Sequence, residues 1–212
     1  MTNAHYHRGD GTFLAVHGVE HRFFGVHPWN ADGVDADAAF EELRDELRRN
    51  PSAGVGEIGL DRLKTREISS AQRVLFNGQL KIAAELHRPV VLHGAKCWGE
   101  VVKVAKPFSE DIPSFLFHGF SRSDGLLPDI FAMNGFIGVG KAVLNDHAVN
   151  YRNLVVHLPH DRILVETDDD ADAAERKSLL REIFLKTSEL TGLSETTLDA
   201  NAENLLGDLR IG

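Results

Sequence analysis

The sequence predicts an α/β fold in which strands close into a TIM-like (β/α) barrel. Short apolar segments alternate with longer segments of helical periodicity, as in a parallel sheet with crossover helices. No Gly-x-Gly-x-x-Gly motif lies between a strand and a helix, so a dinucleotide fold is not favoured. An open doubly wound sheet also fits the alternation, and the placement of ionisable residues described below favours the barrel.

The predicted strands are apolar throughout and do not alternate in polarity. This is expected of strands that are buried on both faces. They cover residues 23–27, 54–60, 89–93, 114–118, 135–139 and 162–168.

Three longer helices follow from apolar periodicity and from signals at their ends. Residues 35–49 begin with Asp residues that can cap a helix and are followed by Asn50-Pro51. Residues 67–87 carry an apolar stripe, and residues 172–191 carry another that ends at Gly192, a typical C-cap. A short helix is expected after Ser194. We expect a single domain over residues 1–212, because no repeat or linker interrupts the pattern.

The composition indicates an acidic cytoplasmic protein. Lys and Arg number 23 against 32 Asp and Glu, a net charge of −9, which argues against a tight binder of long nucleic acid. No apolar run approaches the roughly 20 residues of a membrane span, and no signal peptide is visible, so we expect no membrane partner. A lone cysteine, Cys97, fits a reducing compartment. The oligomeric state is left open.

Six ionisable side chains lie near the start of the chain, inside a predicted strand or at the end of one. The carboxyl ends of barrel strands converge on one mouth, so separate strands would deliver these groups to one pocket. They are His5, His7, Glu57, His93, His118 and Asp168.

These residue types point to a metal site. His5 and His7 are two residues apart, so in a strand both imidazoles point to one face and can bind one cation. Histidine with carboxylate suits divalent Zn, Mn or Mg-like ions. Six ligands exceed what one tetrahedral ion uses, which suggests two ions that share Glu57. Paired ions lower the pKa of water and clamp both oxygens of a phosphoryl displacement. We therefore expect one or two divalent metal ions, either Zn, Mn or Mg.

Several motifs, in order over nearly the whole chain, resemble the TatD family of metal-dependent hydrolases, whose members include deoxyribonucleases. They are His5-Tyr-His7, Gly25-Val-His-Pro-Trp29, Val55-Gly-Glu-Ile-Gly-Leu-Asp61, the segment from Gln79 to His93, Phe117-His-Gly-Phe-Ser121, Leu164-Val-Glu-Thr-Asp168 and Asn201-Ala-Glu-Asn-Leu-Leu206. The resemblance implies a metal-dependent hydrolase barrel whose metal ligands are the six residues above. It also implies Asp168 as general base and Glu57 as the second catalytic carboxylate.

The sequence departs from the family near the second strand and after Asp168. Only about fifteen residues separate His7 from the strand that begins at Phe23, where the family usually has two helices and a strand. Residues 12–17 could supply a replacement strand, antiparallel because a parallel crossover needs a dozen or more residues. We therefore expect a barrel that is incomplete or distorted there. The shortened loops border the mouth and put the family's DNA specificity in question.

Further residues are candidates for substrate contacts. Lys96 follows His93 where the family often has a basic residue, and could hold a phosphate as a point charge. Ser121, Arg122 and Lys141 lie at strand ends and are weaker phosphate candidates. His27 matches a family motif and is interpreted as a residue that supports the ligands.

Three functions remain open on the sequence alone. The main hypothesis is a phosphodiesterase or deoxyribonuclease that uses a metal-activated water on nucleic-acid ends or a small phosphoester. The second is a small-molecule amidohydrolase or phosphatase with the same metal site. The third is a non-catalytic metal-binding barrel, or a barrel that serves as a binding partner in a larger complex. The intact ligand set argues against a barrel without metal, because buried charges are costly unless a metal is bound.

Overall fold

A computed structural model of the chain describes residues 1–9, 11–64, 66–121 and 124–210. Eight strands form one sheet in which sequence neighbours are also spatial neighbours. The strands are β1 (Asn3–Arg8), β2 (Gly11–Val16), β3 (Val19–Phe24), β4 (Gly54–Asp61), β5 (Val90–Ala95), β6 (Phe115–Phe117), β7 (Gly135–Val139) and β8 (Ile163–Val165). The sheet curls into a nearly closed barrel, which confirms the predicted fold class.

Helices follow each of the strands from β3 onward. They are α1 (Ala36–Arg49), α2 (Ser70–Glu85), α3 (Trp98–Ala105), α4 (Leu127–Ala132), α5 (Val149–Val156), α6 (Ala173–Thr191) and α7 (Glu195–Leu206). The three longer predicted helices and the short terminal one are confirmed. Their ends match the predicted signals: the carboxylates of Asp35 and Asp172 cap α1 and α6, and Gly192 adopts φ 76° after α6. The short helices α3, α4 and α5 had no predicted counterpart.

The predicted distortion lies at β2. This strand pairs antiparallel with both β1 and β3, whereas every pair from β3 to β8 is parallel. Residues 12–17 were expected to form such a strand, and β2 confirms it. The tight turns on either side of β2 leave no room for the helices that a parallel crossover would supply.

The predicted boundaries of the strand at residues 23–27, which corresponds to β3, were wrong because one face of this strand is exposed to solvent. The strand begins at Val19 and ends at Phe24, so residues 25–27 lie outside the sheet. Residues Val19, Glu20 and Arg22 are exposed while His21 and Phe23 are buried. This strand alternates in polarity because one face meets solvent, whereas the prediction searched for continuously apolar segments.

The two ends of the sheet meet at a seam between β1 and β8. Two backbone hydrogen bonds cross it just beyond β8: Asp168 N donates to His5 O at 3.1 Å, and His7 N donates to Asp169 O at 2.8 Å. The side chains of Asn3 and Thr167 add a bond of 3.0 Å between Nδ2 and Oγ1. This seam therefore fixes the position of β1 relative to the segment that carries Asp168.

Apolar side chains fill both the barrel interior and the space between the sheet and its helices. The interior cluster includes Leu14, Phe136 and Leu164, and residues of α7 such as Leu205 complete it. The side chain of Asn201 in α7 donates to the carbonyl of Ile163 at 2.8 Å, at the start of β8. Helix α7 thus closes the end of the barrel where the strands begin, and the opposite end stays accessible.

Truncating a core residue of α2 should destabilise the fold far more than truncating an exposed one. Leu80 is completely buried and Val74 is 53% exposed. We expect Leu80→Ala to lower the free energy of unfolding by about 2–5 kcal/mol, because it leaves a cavity. Val74→Ala on the same helix should change it by less than about 1 kcal/mol. Urea titrations of both variants measure the difference, and equal effects would contradict this packing.

Among the described residues, no helix combines the length and apolar character needed to cross a membrane.

Candidate metal centre

The centre is built around Glu57, a buried residue inside β4. Its Oε2 atom faces the two histidines of β1: His5 Nε2 lies 3.2 Å away and His7 Nε2 lies 3.5 Å away. Both rings point the same way because they are two residues apart in a strand, as predicted. Their ring centroids are 4.8 Å apart.

The other carboxylate oxygen of Glu57 faces a second set of histidines. The distance from Oε1 is 2.6 Å to His93 Nδ1, 2.5 Å to His118 Nε2 and 3.3 Å to His27 Nε2. His93 lies within β5, and His118 follows β6 directly. The two oxygens of one carboxylate thus separate five histidines into two groups.

Asp168 completes the first group from the other side of the seam. Its Oδ1 atom lies 3.4 Å from His5 Nε2 and 3.6 Å from His7 Nε2. The backbone bond between Asp168 N and His5 O holds the two segments in register. The Asp168 side chain is 42% exposed, whereas that of Glu57 is 3% exposed. Asp168 is therefore the carboxylate of this pair that an incoming molecule can reach.

Two further carboxylates lie behind the histidines of the second group. Asp61 Oδ2 accepts from His93 Nε2 at 2.9 Å, which leaves Nδ1 of that ring directed at Glu57. Glu166 Oε1 lies 3.9 Å from His118 Nδ1 and accepts from Gly119 N at 2.6 Å. Carboxylates behind metal-binding histidines commonly fix the ring orientation and tautomer.

His27 differs from the other histidines in its hydrogen bonding. Its Nδ1 accepts from the backbone N–H of Trp29 at 3.1 Å. Burial lowers the pKa of His27, so the ring is neutral and its hydrogen is on Nε2. That nitrogen donates to Glu57 Oε1, so it has no lone pair to offer a metal. On distance alone, His27 could be a ligand. The arrangement favours the predicted supporting role of His27.

Opposite charges dominate the electrostatics of the cluster. Burial would lower the pKa of His5, but hydrogen bonds to Asp168 and Glu57 raise it to about 9. Hydrogen bonds to the same two carboxylates raise the pKa of His7 to about 10. Burial would raise the pKa of Glu57, yet the charge of His118 and bonds from the histidines hold it well below its ordinary value. The pKa of Asp168 is also lowered, against burial, by its bonds to His5 and His7. Both carboxylates are therefore anionic and attract cations.

The donor set fits a divalent cation. Three overlapping groups have candidate ligand atoms that all lie within 4.8 Å of one another: His5, His7 and Glu57; His5, His118 and Asp168; and His27, Glu57 and His93. Histidine nitrogen and carboxylate oxygen are ligands that Zn and Mn accept, and carboxylates also suit Mg. In addition, His5 is completely buried, and its Nε2 faces two carboxylates, with Glu57 Oε2 at 3.2 Å and Asp168 Oδ1 at 3.4 Å.

A cavity of about 460 Å³ opens onto the cluster. Five of the six predicted ligands line it; His5 lies deeper. Its rim carries Trp29 and the acidic pair Asp169 and Asp170. The Asp169 carboxylate is engaged by Arg176 at 3.1 Å. Thr12 of the antiparallel strand also lines the wall, so the distorted side of the barrel borders the site.

Three of the four predicted phosphate contacts do not line this cavity. Lys96 lines a separate surface hollow with Arg62, and Ser121 and Lys141 are exposed at the ends of their strands. Arg122 lies outside the described residues. Their contacts with substrate stay predictions.

Sequence reasoning missed Asp61 and Glu166, although each carried a signal. Alternate residues of a strand share a face, so Asp61 shares a face with Glu57, four positions earlier in β4. Glu166 is likewise two positions from Asp168. Trp29 was quoted within a motif but was not identified as a residue of the mouth.

Comparison with known proteins identifies relatives that agree with one another in their names. The model of the family described as "TatD related DNase" matches residues 17–206. A protein of Pectobacterium atrosepticum named "3'-5' ssDNA/RNA exonuclease TatD" is 32% identical over 145 residues, which cover 68% of this chain and 55% of that protein. A protein of the same name from Klebsiella pneumoniae is 33% identical over 146 residues, with the same coverage. The chain thus spans about half the length of the curated relatives it matches.

Solved structures agree with this assignment. The TatD homologue YjjV of Escherichia coli superposes with a TM-score of 0.73 at 26% identity, covering 86% of this chain and 75% of that one. A TatD family hydrolase of Entamoeba histolytica shares the fold, with a TM-score of 0.72 at 17% identity, covering 86% of this chain and 73% of that one. Both the family model and the relatives with at least 30% identity lead to one conclusion: this chain belongs to the TatD related DNase family.

Proposed function

We propose that the protein is a metal-dependent hydrolase that cleaves phosphodiester bonds at the ends of single-stranded nucleic acid. The observation that carries this proposal is the position of Glu57, whose two oxygens face separate groups of histidines at the bottom of an open cavity. Curated relatives named as single-strand exonucleases support the choice of substrate.

In this proposal, Glu57 is shared between two cation positions. His5, His7 and Asp168 would hold a cation beside Oε2, and His93 and His118 one beside Oε1. One or two divalent ions, either Zn, Mn or Mg, are the expected cofactor. When bound, such ions lower the pKa of water and neutralise charge on a phosphate.

Asp168 is placed to act as the general base. It is the more accessible of the two carboxylates that face His5 and His7, and its lowered pKa keeps it deprotonated, so that the carboxylate is free to accept a proton. As it takes a proton from the attacking water, the water oxygen forms a bond to phosphorus. The ester P–O bond breaks, and the leaving oxygen takes up a proton from solvent.

The dimensions and charge of the site favour short, single-stranded substrates. A cavity of about 460 Å³ has room for a nucleotide and not for a duplex. The net charge of −9 is unfavourable for wrapping a long phosphate backbone. The end of a single-stranded nucleic acid, held at the proposed cations, would fit the cavity and would not require the protein to wrap a long phosphate backbone.

Metal removal tests this function directly. We expect hydrolysis of a single-stranded oligonucleotide to fall at least about a hundredfold after chelation, and to return when Mn, Mg or Zn is added. Product analysis by electrophoresis should show shortening from an end, with a duplex of the same sequence as the matched control. Activity that is unchanged by chelation would contradict the proposal.

A small phosphoester or amide is the second candidate substrate. The observation in its favour is the acidic rim, where Asp169 and Asp170 line the cavity and would repel long polyanions. Phosphomonoesters, lactones and amides assayed beside oligonucleotides separate the two. Faster turnover of a compact substrate than of any oligonucleotide would favour this second function.

The cellular location stays an inference from the sequence. We propose a cytoplasmic location on the basis of the lone cysteine in the sequence; in the structure Cys97 is buried, and burial raises the pKa of its thiol to about 11, so the thiol is unreactive.

A further inference from the structure

An aromatic side chain at the mouth of the cavity has no role in the reaction described so far. Trp29 lies in the short helix Pro28–Asn30 and lines the cavity together with the histidine cluster. Half of its surface is exposed, whereas the other tryptophan, Trp98, is buried against Phe117 and Phe120. The exposed surface of Trp29 is therefore available to a molecule that binds in the cavity.

The indole ring is held in a fixed orientation by groups of the metal centre. Its Nε1 donates to Asp61 Oδ2 at 2.7 Å, the same oxygen that accepts from His93. Its backbone N–H donates to His27 Nδ1. The ring centroid lies 6.0 Å from that of His93. Trp29 is thus linked directly to Asp61, His27 and His93 of the histidine cluster.

A positive charge lies against the ring. Lys64 Nζ is 3.7 Å from the indole centroid, and Lys64 N donates to Asp61 Oδ1 at 2.7 Å. Because this ammonium covers one face of the indole ring, a base would stack on the opposite face, and the ammonium could contact a phosphate that flanks that base, beside a rim that otherwise carries Asp169 and Asp170. A flat apolar surface next to a cation is the combination with which proteins bind single-stranded nucleic acid.

We propose that Trp29 is the stacking surface for a nucleobase next to the phosphodiester that is cleaved, and that Lys64 contacts the adjoining phosphate. The proposal rests on the proposed function and gives it a substrate requirement. Because every base has a π-face, stacking here selects for the presence of a base and not for its identity. Asp61 acts as a positioning residue that aligns both the indole ring and His93.

The test compares single-stranded oligonucleotides that carry normal bases with otherwise identical ones whose terminal or penultimate nucleotide is abasic. We expect kcat/KM for the substrate with normal bases to be about tenfold higher than for one of the two abasic substrates, namely the one that lacks the base stacked on Trp29. Trp29→Ala should abolish that preference, and Trp29→Phe should keep part of it. Val149→Ala, a change at an exposed apolar residue remote from the cavity, should keep all of it. An unchanged preference in Trp29→Ala would overturn the proposal.

A binding measurement distinguishes this proposal from the nuclease function itself. Deoxyadenosine monophosphate should quench tryptophan fluorescence of the protein and of the Val149→Ala control, and deoxyribose 5-phosphate, which lacks a base, should not. The quenching should disappear in Trp29→Phe, where Trp98 remains as the fluorophore. If no oligonucleotide is cleaved but the quenching is present, the nuclease function fails while base stacking stands. If Trp29→Phe is quenched equally, the stacking surface is not Trp29.

Discussion

Replacement of Glu57 by glutamine is expected to lower phosphodiesterase activity at least about a thousandfold. The substitution keeps the shape of the side chain but removes the negative charge that five histidines share. A divalent cation held by Glu57 and the histidines would supply several kcal/mol of charge stabilisation in the transition state, and about 1.4 kcal/mol corresponds to tenfold in rate. Initial rates on a single-stranded oligonucleotide at saturating Mn measure the effect, together with metal content per chain.

The matched control for this variant is Glu189→Gln. Glu189 is an exposed residue of α6 that pairs with Lys186, far from the cavity. It should retain full activity and full metal content, because an exposed ion pair contributes little. If the Glu57→Gln protein bound metal and kept more than about a tenth of the activity, Glu57 would not be a required residue of the metal site.

Replacement of Asp168 by asparagine should lower activity by about a hundredfold to ten thousandfold. The amide can neither accept the proton of the attacking water nor balance the charge of His5 and His7. Because His93 and His118 contact the other oxygen of Glu57, we expect this variant to retain part of its metal. Metal analysis beside initial rates therefore separates loss of the base from loss of the whole centre.

Asp161→Asn serves as the matched control, since Asp161 is exposed and pairs only with its neighbour Arg162 among the described contacts. Its activity should equal that of the unmodified protein. If Asp168→Asn were equally active, another group would have to be the base, and the role assigned to Asp168 would be wrong.

The cluster could be predicted because parallel barrels place strand ends together. His93 and His118 lie at strand ends that were recognisable as apolar segments followed by a histidine. The two-residue spacing of His5 and His7 fixed their common direction once β1 was taken as a strand. Neither prediction required knowledge of side-chain packing. The structure brings all six residues together, and their roles as ligands stay proposals.

The roles of the remaining residues depend on tertiary contacts, which their local sequence signals do not specify. Asp61 and Glu166 become significant only because His93 and His118 turn a ring nitrogen toward them. Trp29 gained its place at the mouth through a bond to Asp61, 32 residues further along the chain. The third strand was misplaced because an exposed face allowed Glu20 and Arg22 to interrupt its apolar residues.

The seam between β1 and β8 has a consequence for how the protein folds during synthesis. His5 and Asp168 are far apart in the sequence, yet they are joined by a backbone bond and face the same proposed cation position. A chain still emerging from the ribosome carries its early histidines long before the acidic partner that faces them exists. The cluster of histidines and carboxylates therefore cannot form until β8 and the segment with Asp168 have been synthesised. Shorter nascent chains lack one of the proposed ligands.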